Sequence, residues 1–153
     1  MNYTFSSNST KDTLNFGKKL ASLLKKGDII TLTGELGAGK TKLTEGILSY
    51  FNLENEISSP TFTIVNEYSN DKINIYHFDV YRLEDSFEFY EIGGEEYFDK
   101  GICIIEWAEL IKDVLPLEYL KISIIKDDLN YNKRIINLEP FGNRYKDLIN
   151  NLK

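Results

Sequence analysis

An α/β fold, with a mixed central β-sheet flanked by helices in a three-layer sandwich, is predicted by three observations on this chain of 153 residues. A β-branched run at 28–33 (DIITLT) passes through a glycine-rich turn straight into a segment with helical apolar spacing. A continuous apolar stretch at 102–105 (ICII) has the pattern of a strand buried on both faces. Two strand-like runs at 64–68 and 73–79 are separated only by Ser69, Asn70, Asp71 and Lys72, a polar cluster of the length that closes an antiparallel hairpin. Parallel and antiparallel neighbours are therefore both required.

The elements follow in order. Ser9 and Thr10 precede a segment in which Leu14, Leu20, Ala21 and Leu24 recur at helical spacing, and Gly27 stops it. The strand at 28–33 leads to Gly34, and after Lys40 a second helix carries Leu43, Ile47, Leu48 and Phe51 on one face. The hairpin comes next, and then the apolar strand at 102–105, bounded by Gly101 and Glu106 and expected centrally, beside strand 28–33. Two further strands are predicted at 119–125 and 134–138, with a closing helix at 145–152. No repeat, linker or low-complexity tract interrupts the chain.

Length and a hydrophobic content of 42% suit one compact core, so residues 1–153 are read as a single domain. The net charge of -6 argues against sustained nucleic-acid binding by this chain alone. A lone cysteine, Cys103, within an apolar run reads as a buried core residue and fits a reducing compartment. The N-terminal stretch MNYTFSSNSTKD lacks the basic and apolar regions of a secretory signal, and no run approaches the roughly 18 apolar residues of a membrane span. A cytoplasmic location with no membrane association is the expectation.

The chemistry concentrates at Gly34-Glu35-Leu36-Gly37-Ala38-Gly39-Lys40-Thr41, which fits GxxxxGK[ST] with the required strand before and helix after. Glycines let the backbone wrap round phosphates with amides pointing inward, and the helix adds its positive N-terminal end. Lys40 is suited to the β- and γ-phosphates of a nucleoside triphosphate, most simply ATP, and the Thr41 hydroxyl to the magnesium that bridges them. Such loops need an acid at the end of a neighbouring strand. Glu106, emerging from the apolar strand, is the first choice for the metal side, and Asp79, on the same side of its strand as His77, is placed to orient water. For each the alternative is a solvated strand end or an ion pair, as with Arg82. His77 and Cys103 are too few for a usual zinc site. Ser58, Ser59, Pro60 and Thr61 suit a switch segment or an ordinary turn, and Trp107 is read as core, nucleotide neighbour or partner contact.

Taken together, GELGAGKT, SPTFTIVNEY, HFDVYRL, EIGGEEYF and ICIIEW resemble the TsaE family, also called YjeE, over roughly residues 30–110. The loop motif is widely shared, whereas SPTFT, HFD with YR, and IEW are specific. The resemblance implies a P-loop NTPase-like fold and a magnesium-dependent ATPase that serves synthesis of N6-threonylcarbamoyladenosine in certain tRNAs. It implies action with the TsaB and TsaD proteins, whose complex ATP hydrolysis would reset, and contact with tRNA only through them. Carried over by residue, Lys40 with the loop residues Glu35, Leu36, Gly37, Ala38, Gly39 and Thr41 holds nucleotide, Thr41 and Glu106 serve magnesium, and Asp79 supports hydrolysis. Ser59, Pro60 and Thr61 fall in a switch-like loop, and Thr10 matches a nucleotide-contacting position. Lys42, Val80 and Gly94 depart from the common pattern, and Gly94 puts the rigidity of residues 91–97 in question.

Rival functions find less support in the residues. A GTP switch lacks its guanine motif, because Asn132-Lys133-Arg134-Ile135 has no aspartate, and Asp79-Val80-Tyr81-Arg82 lacks the expected glycine. A small-molecule kinase needs an arginine-rich lid, yet only Arg82, Arg134 and Arg144 occur, far apart in sequence. A nucleotide-dependent binding module with negligible turnover is partly compatible with the preferred reading.

Overall fold

The computed structural model describes residues 2–35, 37–56 and 64–153. Seven strands form one mixed sheet: β1 (Tyr3–Ser7), β2 (Ile29–Thr33), β3 (Val65–Ser69), β4 (Asn74–Asp79), β5 (Ile102–Glu106), β6 (Tyr119–Lys126) and β7 (Arg134–Phe141), in the order β1-β7-β6-β2-β5-β4-β3. β6, β2, β5 and β4 are parallel neighbours, and antiparallel β7, β1 and β3 complete the two sides. The apolar strand is central as expected, between β2 and β4.

Helices cover both faces. Alternation along the strands sends Ile30, Leu32, Ile75, Ile102 and Ile104 to one face, where they pack against α1 (Thr10–Ala21), α2 (Lys40–Tyr50) and α4 (Asn143–Leu152). Ile29, Tyr76, Phe78, Cys103 and Ile105 point to the other, beneath the short α3 (Ser86–Glu91) and the tight helical segments Gly94–Tyr97 and Ala108–Val114. Among the described residues no helix is long and apolar enough to cross a membrane.

α1 begins where the sequence places it, since the Ser9 side chain accepts from the Asp12 N–H, but it ends at Ala21 rather than near Gly27. Leu24 lies in the turn beyond, still buried. α1 and α2 touch backbone to backbone at Gly17 and Gly46, where a Cβ on Gly46 would stand 2.2 Å from the Leu14 carbonyl oxygen. This close crossing fixes the direction of α2, and with it Lys40.

Two elements, β1 and α3, and the far end of a third, β7, escaped the sequence reading. β1 is short, with Tyr3 and Phe5 alternating against polar residues, and it is held by antiparallel pairing with the distant β7. α3 spans 6 residues, too few for a periodic signal. β7 continues through Pro140 to Phe141, although the predicted strand stops at Leu138. β1 begins at Tyr3 opposite Leu138, so beyond that residue β7 has only β6 beside it, the setting in which a strand accepts proline.

Candidate functional site

The C-terminal ends of β2, β5 and β4 lie side by side, and the glycine-rich loop leaves β2 at that edge. Gly39 caps α2 with φ 112°, a left-handed conformation that suits glycine, and among the described residues no side chain makes the capping hydrogen bond. The first turn holds no acidic residue either, so the positive end of α2 is left to an anion.

The loop is braced from outside. Ala38 N–H donates to the Glu35 carbonyl at 3.0 Å, while Arg134 donates through Nε to the Ala38 carbonyl at 3.0 Å and through a terminal nitrogen to the Gly37 carbonyl at 3.3 Å. The C=O and N–H of a trans peptide point oppositely, so fixing the Ala38 carbonyl on Arg134 turns the Gly39 N–H the other way. Lys126 also approaches, its Nζ lying 3.2 Å from where a Cβ on Gly37 would stand.

Glu106 is the hub of the charged cluster. It accepts from His77 Nε2 at 2.6 Å on one oxygen and meets Lys40 Nζ at 3.4 Å on the other. Burial opposes its ionisation, but the His77 hydrogen bond and the Lys40 ammonium outweigh that and hold its carboxyl below the usual range. His77 is 3% exposed, and with Nε2 as donor its Nδ1 has no hydrogen-bond partner among the described residues. Asp79 pairs in register with Glu106 on the same face, half-buried, and accepts from the Tyr81 N–H at 3.0 Å. Among the described residues its carboxylate thus has fewer partners than that of Glu106.

Trp107 follows in a left-handed conformation, φ 64°, which swings its ring out of the strand line. Lys40 Nζ lies 5.8 Å from its ring centroid, Tyr81 packs on it at 4.8 Å, and it remains 38% exposed. It is therefore not the core residue that is the commoner fate of tryptophan. Beyond the loop, a cavity of about 190 Å³ opens between Thr10, Gly37, Gly39, Lys42, Asn132 and Arg134.

The structure thus gathers Lys40, His77, Asp79 and Glu106 at one edge, with Glu35, Gly37, Ala38 and Gly39 in the adjoining loop and Thr41 exposed in the first turn of α2. Thr10 joins them across the cavity rather than by direct contact with the charged cluster. Leu36 and the segment Ser58, Ser59, Pro60 and Thr61 lie outside the described residues. Arg134 and Lys126 were missed. They sit at the paired ends of β6 and β7, and only the strand order, with β6 beside β2, brings them to the loop. Gly94 packs on Phe89, where a Cβ would come within 2.4 Å of the ring, so this departure from the common pattern serves close packing.

Comparison with known proteins gives a consistent result. Residues 7–136 match the model of the family described as threonylcarbamoyl adenosine biosynthesis protein TsaE. The tRNA threonylcarbamoyladenosine biosynthesis protein TsaE of Bacillus subtilis is 42% identical over 145 residues, 93% of this chain and 88% of that protein. The protein of the same name from Rickettsia prowazekii is 41% identical over 86% of this chain and 90% of its own. The crystal structure of Bacillus subtilis YdiB superposes with a TM-score of 0.81 at 36% identity, covering 99% of this chain and 94% of that one.

Proposed function

This chain belongs to the TsaE family, and from that premise we propose that it is a magnesium-dependent P-loop ATPase supporting N6-threonylcarbamoyladenosine formation in tRNA, acting with the TsaB and TsaD proteins. The observation that carries the reading is the junction of Lys40 with the Glu106–His77 pair at the strand ends, facing the uncapped first turn of α2. A lysine, an open helix N-terminus and a neighbouring strand-end carboxylate are the parts that bind and polarise a triphosphate. The cavity beside Thr10 and Arg134 is a place for the nucleoside end. In this reading the P-loop NTPase-like sandwich is one domain over residues 1–153, working in the cytoplasm.

Magnesium fits the residues present. Thr41 and an ionised Glu106 offer oxygen donors, and among the described residues no group of three or more His, Cys, Asp or Glu gathers that would build a cage of its own. Phosphate and water oxygens would complete the coordination, as this hard cation prefers. When bound, it would neutralise charge on the phosphates.

The chain's own groups divide the work. Lys40 exchanges its Glu106 partner for phosphate oxygens, and the amides of the loop and of the first turn of α2 hold the remaining charge. His77 fixes the Glu106 carboxylate in place and keeps it ionised. Asp79, with only the Tyr81 amide on its carboxylate among the contacts described, orients the attacking water. The water oxygen bonds to the γ-phosphorus, the bond to the β,γ-bridging oxygen breaks, ADP departs with the electron pair, and the proton of the water passes to the phosphate product or to solvent.

The test is steady-state ATP hydrolysis with and without purified TsaB–TsaD complex. Stimulation by the complex is expected, and its absence would turn the reading toward a stand-alone enzyme. Lys40→Ala should abolish ATP binding, whereas Glu106→Ala should largely keep affinity and lose magnesium-dependent hydrolysis. Wild-type turnover by Lys40→Ala would overturn the phosphate-site assignment. One observation favours a second, overlapping reading as a nucleotide-dependent switch: the Lys40–Glu106 pair competes directly with phosphate, so its making and breaking distinguishes two states.

A further inference from the structure

The negative charge of this molecule is concentrated in one stretch. Of 24 acidic and 18 basic residues, seven and one respectively fall within residues 81–99, so the remaining 17 and 17 cancel and this stretch carries the whole net charge of -6. It is also where large rings face outward. Phe87 is 66% exposed, Tyr81 61% and Tyr90 49%, although Leu83 and Phe89 anchor the same stretch in the core. Phe87 and Tyr90, three apart on α3, share one side of that helix. The Ser86 hydroxyl bonds to Asp113, which ties α3 to the segment Ala108–Val114 and presents the rings on a fixed support.

The chemistry of the occupant follows from the charge. A phosphate backbone is repelled, and a second copy laid face to face would bring like charge against like. Rings spaced among carboxylates match a protein surface with apolar sockets and a basic rim, where the rings supply contact area and the charges steer the approach. The surface is continuous with the candidate site. Tyr81 donates its N–H to Asp79 and packs on Trp107, which in turn neighbours Lys40.

We propose that residues 81–99 are the docking surface for the ATPase's partner, a protein that offers basic side chains around sockets for Phe87 and Tyr90. This rests on the partner-coupled reading above and adds to it a location and a recognition chemistry. An occupant there reaches Tyr81 and Trp107 directly, which gives it a physical route to the groups around the phosphate site.

The experiment measures affinity for the purified TsaB–TsaD complex at low and high salt, using wild type, Phe87→Ser/Tyr90→Ser, Glu91→Lys/Glu95→Lys, and the control Asp71→Lys/Asp147→Lys, which makes the same charge change at exposed positions elsewhere. Both surface variants should bind roughly tenfold or more weakly while the control binds normally. Wild-type affinity should fall with salt, and ATPase activity without the complex should be unchanged in all variants, which also reports that each is folded. If wild type binds and the surface variants bind equally well, or the control is weakened as much, the docking surface is refuted and the partner-coupled reading survives. If wild type does not bind the complex, that reading fails and takes the docking surface with it. Sedimentation showing that the wild type self-associates, and that the surface substitutions abolish this, would also overturn the proposal in favour of a second copy.

Discussion

At the scale of single residues, His77 is the informative position because it reaches the phosphate site only through Glu106. Its Nε2 lies 2.6 Å from the carboxylate in a buried setting, so replacement by phenylalanine keeps the bulk and removes the donor. A charge-assisted hydrogen bond of this kind contributes about 2 kcal/mol, and the variant should lose stability of that order in urea unfolding. The Glu106 carboxyl is held below its ordinary range, so the folded state releases this proton more readily than the unfolded chain does. Its contribution to stability is present above the unfolded carboxylate value and is lost as pH falls through the folded one. Acid unfolding of Glu106→Gln should therefore depend less on pH below about 5 than wild type does, and an unchanged slope would remove Glu106 from the acid-sensitive groups. Lys40, Asp79 and Glu106 could be found from sequence because a motif and strand ends mark them. Arg134 could not, since a guanidinium on backbone carbonyls 96 and 97 residues away leaves no local pattern.

At the scale of elements, the α1–α2 contact decides how α2 aims its first turn. Gly46→Ala would drive a methyl into the Leu14 carbonyl, backbone against backbone, where neither side can rotate away. Overpacking at such a point costs about 1–3 kcal/mol and forces the helices apart, so the melting temperature should drop and ATP affinity should fall with it. If thermal denaturation and nucleotide titration of Gly46→Ala both match wild type, the crossing does not position the site. The apolar periodicity of both helices and the run at 102–105 were readable because each is long or uniform enough to carry a period. β1 and α3 were not, because a strand of 5 residues and a helix of 6 take their stability from partners far along the chain.

For the whole molecule, the mixed sheet was predictable as a class, but its order was not, because several orders satisfy the same strands. What the order creates is a central strand, β5, sealed on both faces, and this makes alkaline pH a global test of the core. Cys103 lies in β5 on the face covered by α3, fully buried, and burial pushes its thiol from 9.0 up to about 12. Tyr145, on the buried side of α4 against the opposite face, is likewise raised by burial from 10.0 to about 12, against the hydrogen bond that Ile29 N–H donates to it at 2.8 Å. In both cases the folded state holds its proton more tightly than the unfolded chain, so stability is intact below the unfolded value and declines as pH climbs toward the folded one. Of these two groups the thiol ionises first in the unfolded chain, and the slope it contributes from about pH 9 upward is at most roughly 1.4 kcal/mol per pH unit. Urea unfolding at stepped pH should show wild type weakening across this range, while Cys103→Ala, less stable at neutral pH by the volume it gives up, keeps a flatter profile. The difference in slope between the two curves should persist above pH 10 until the folded thiol value near 12 is approached, while the decline due to Tyr145 is common to both. Parallel curves from pH 9 upward would mean that the β5 thiol ionises without opening the core, which a strand sealed by helices on each side does not allow.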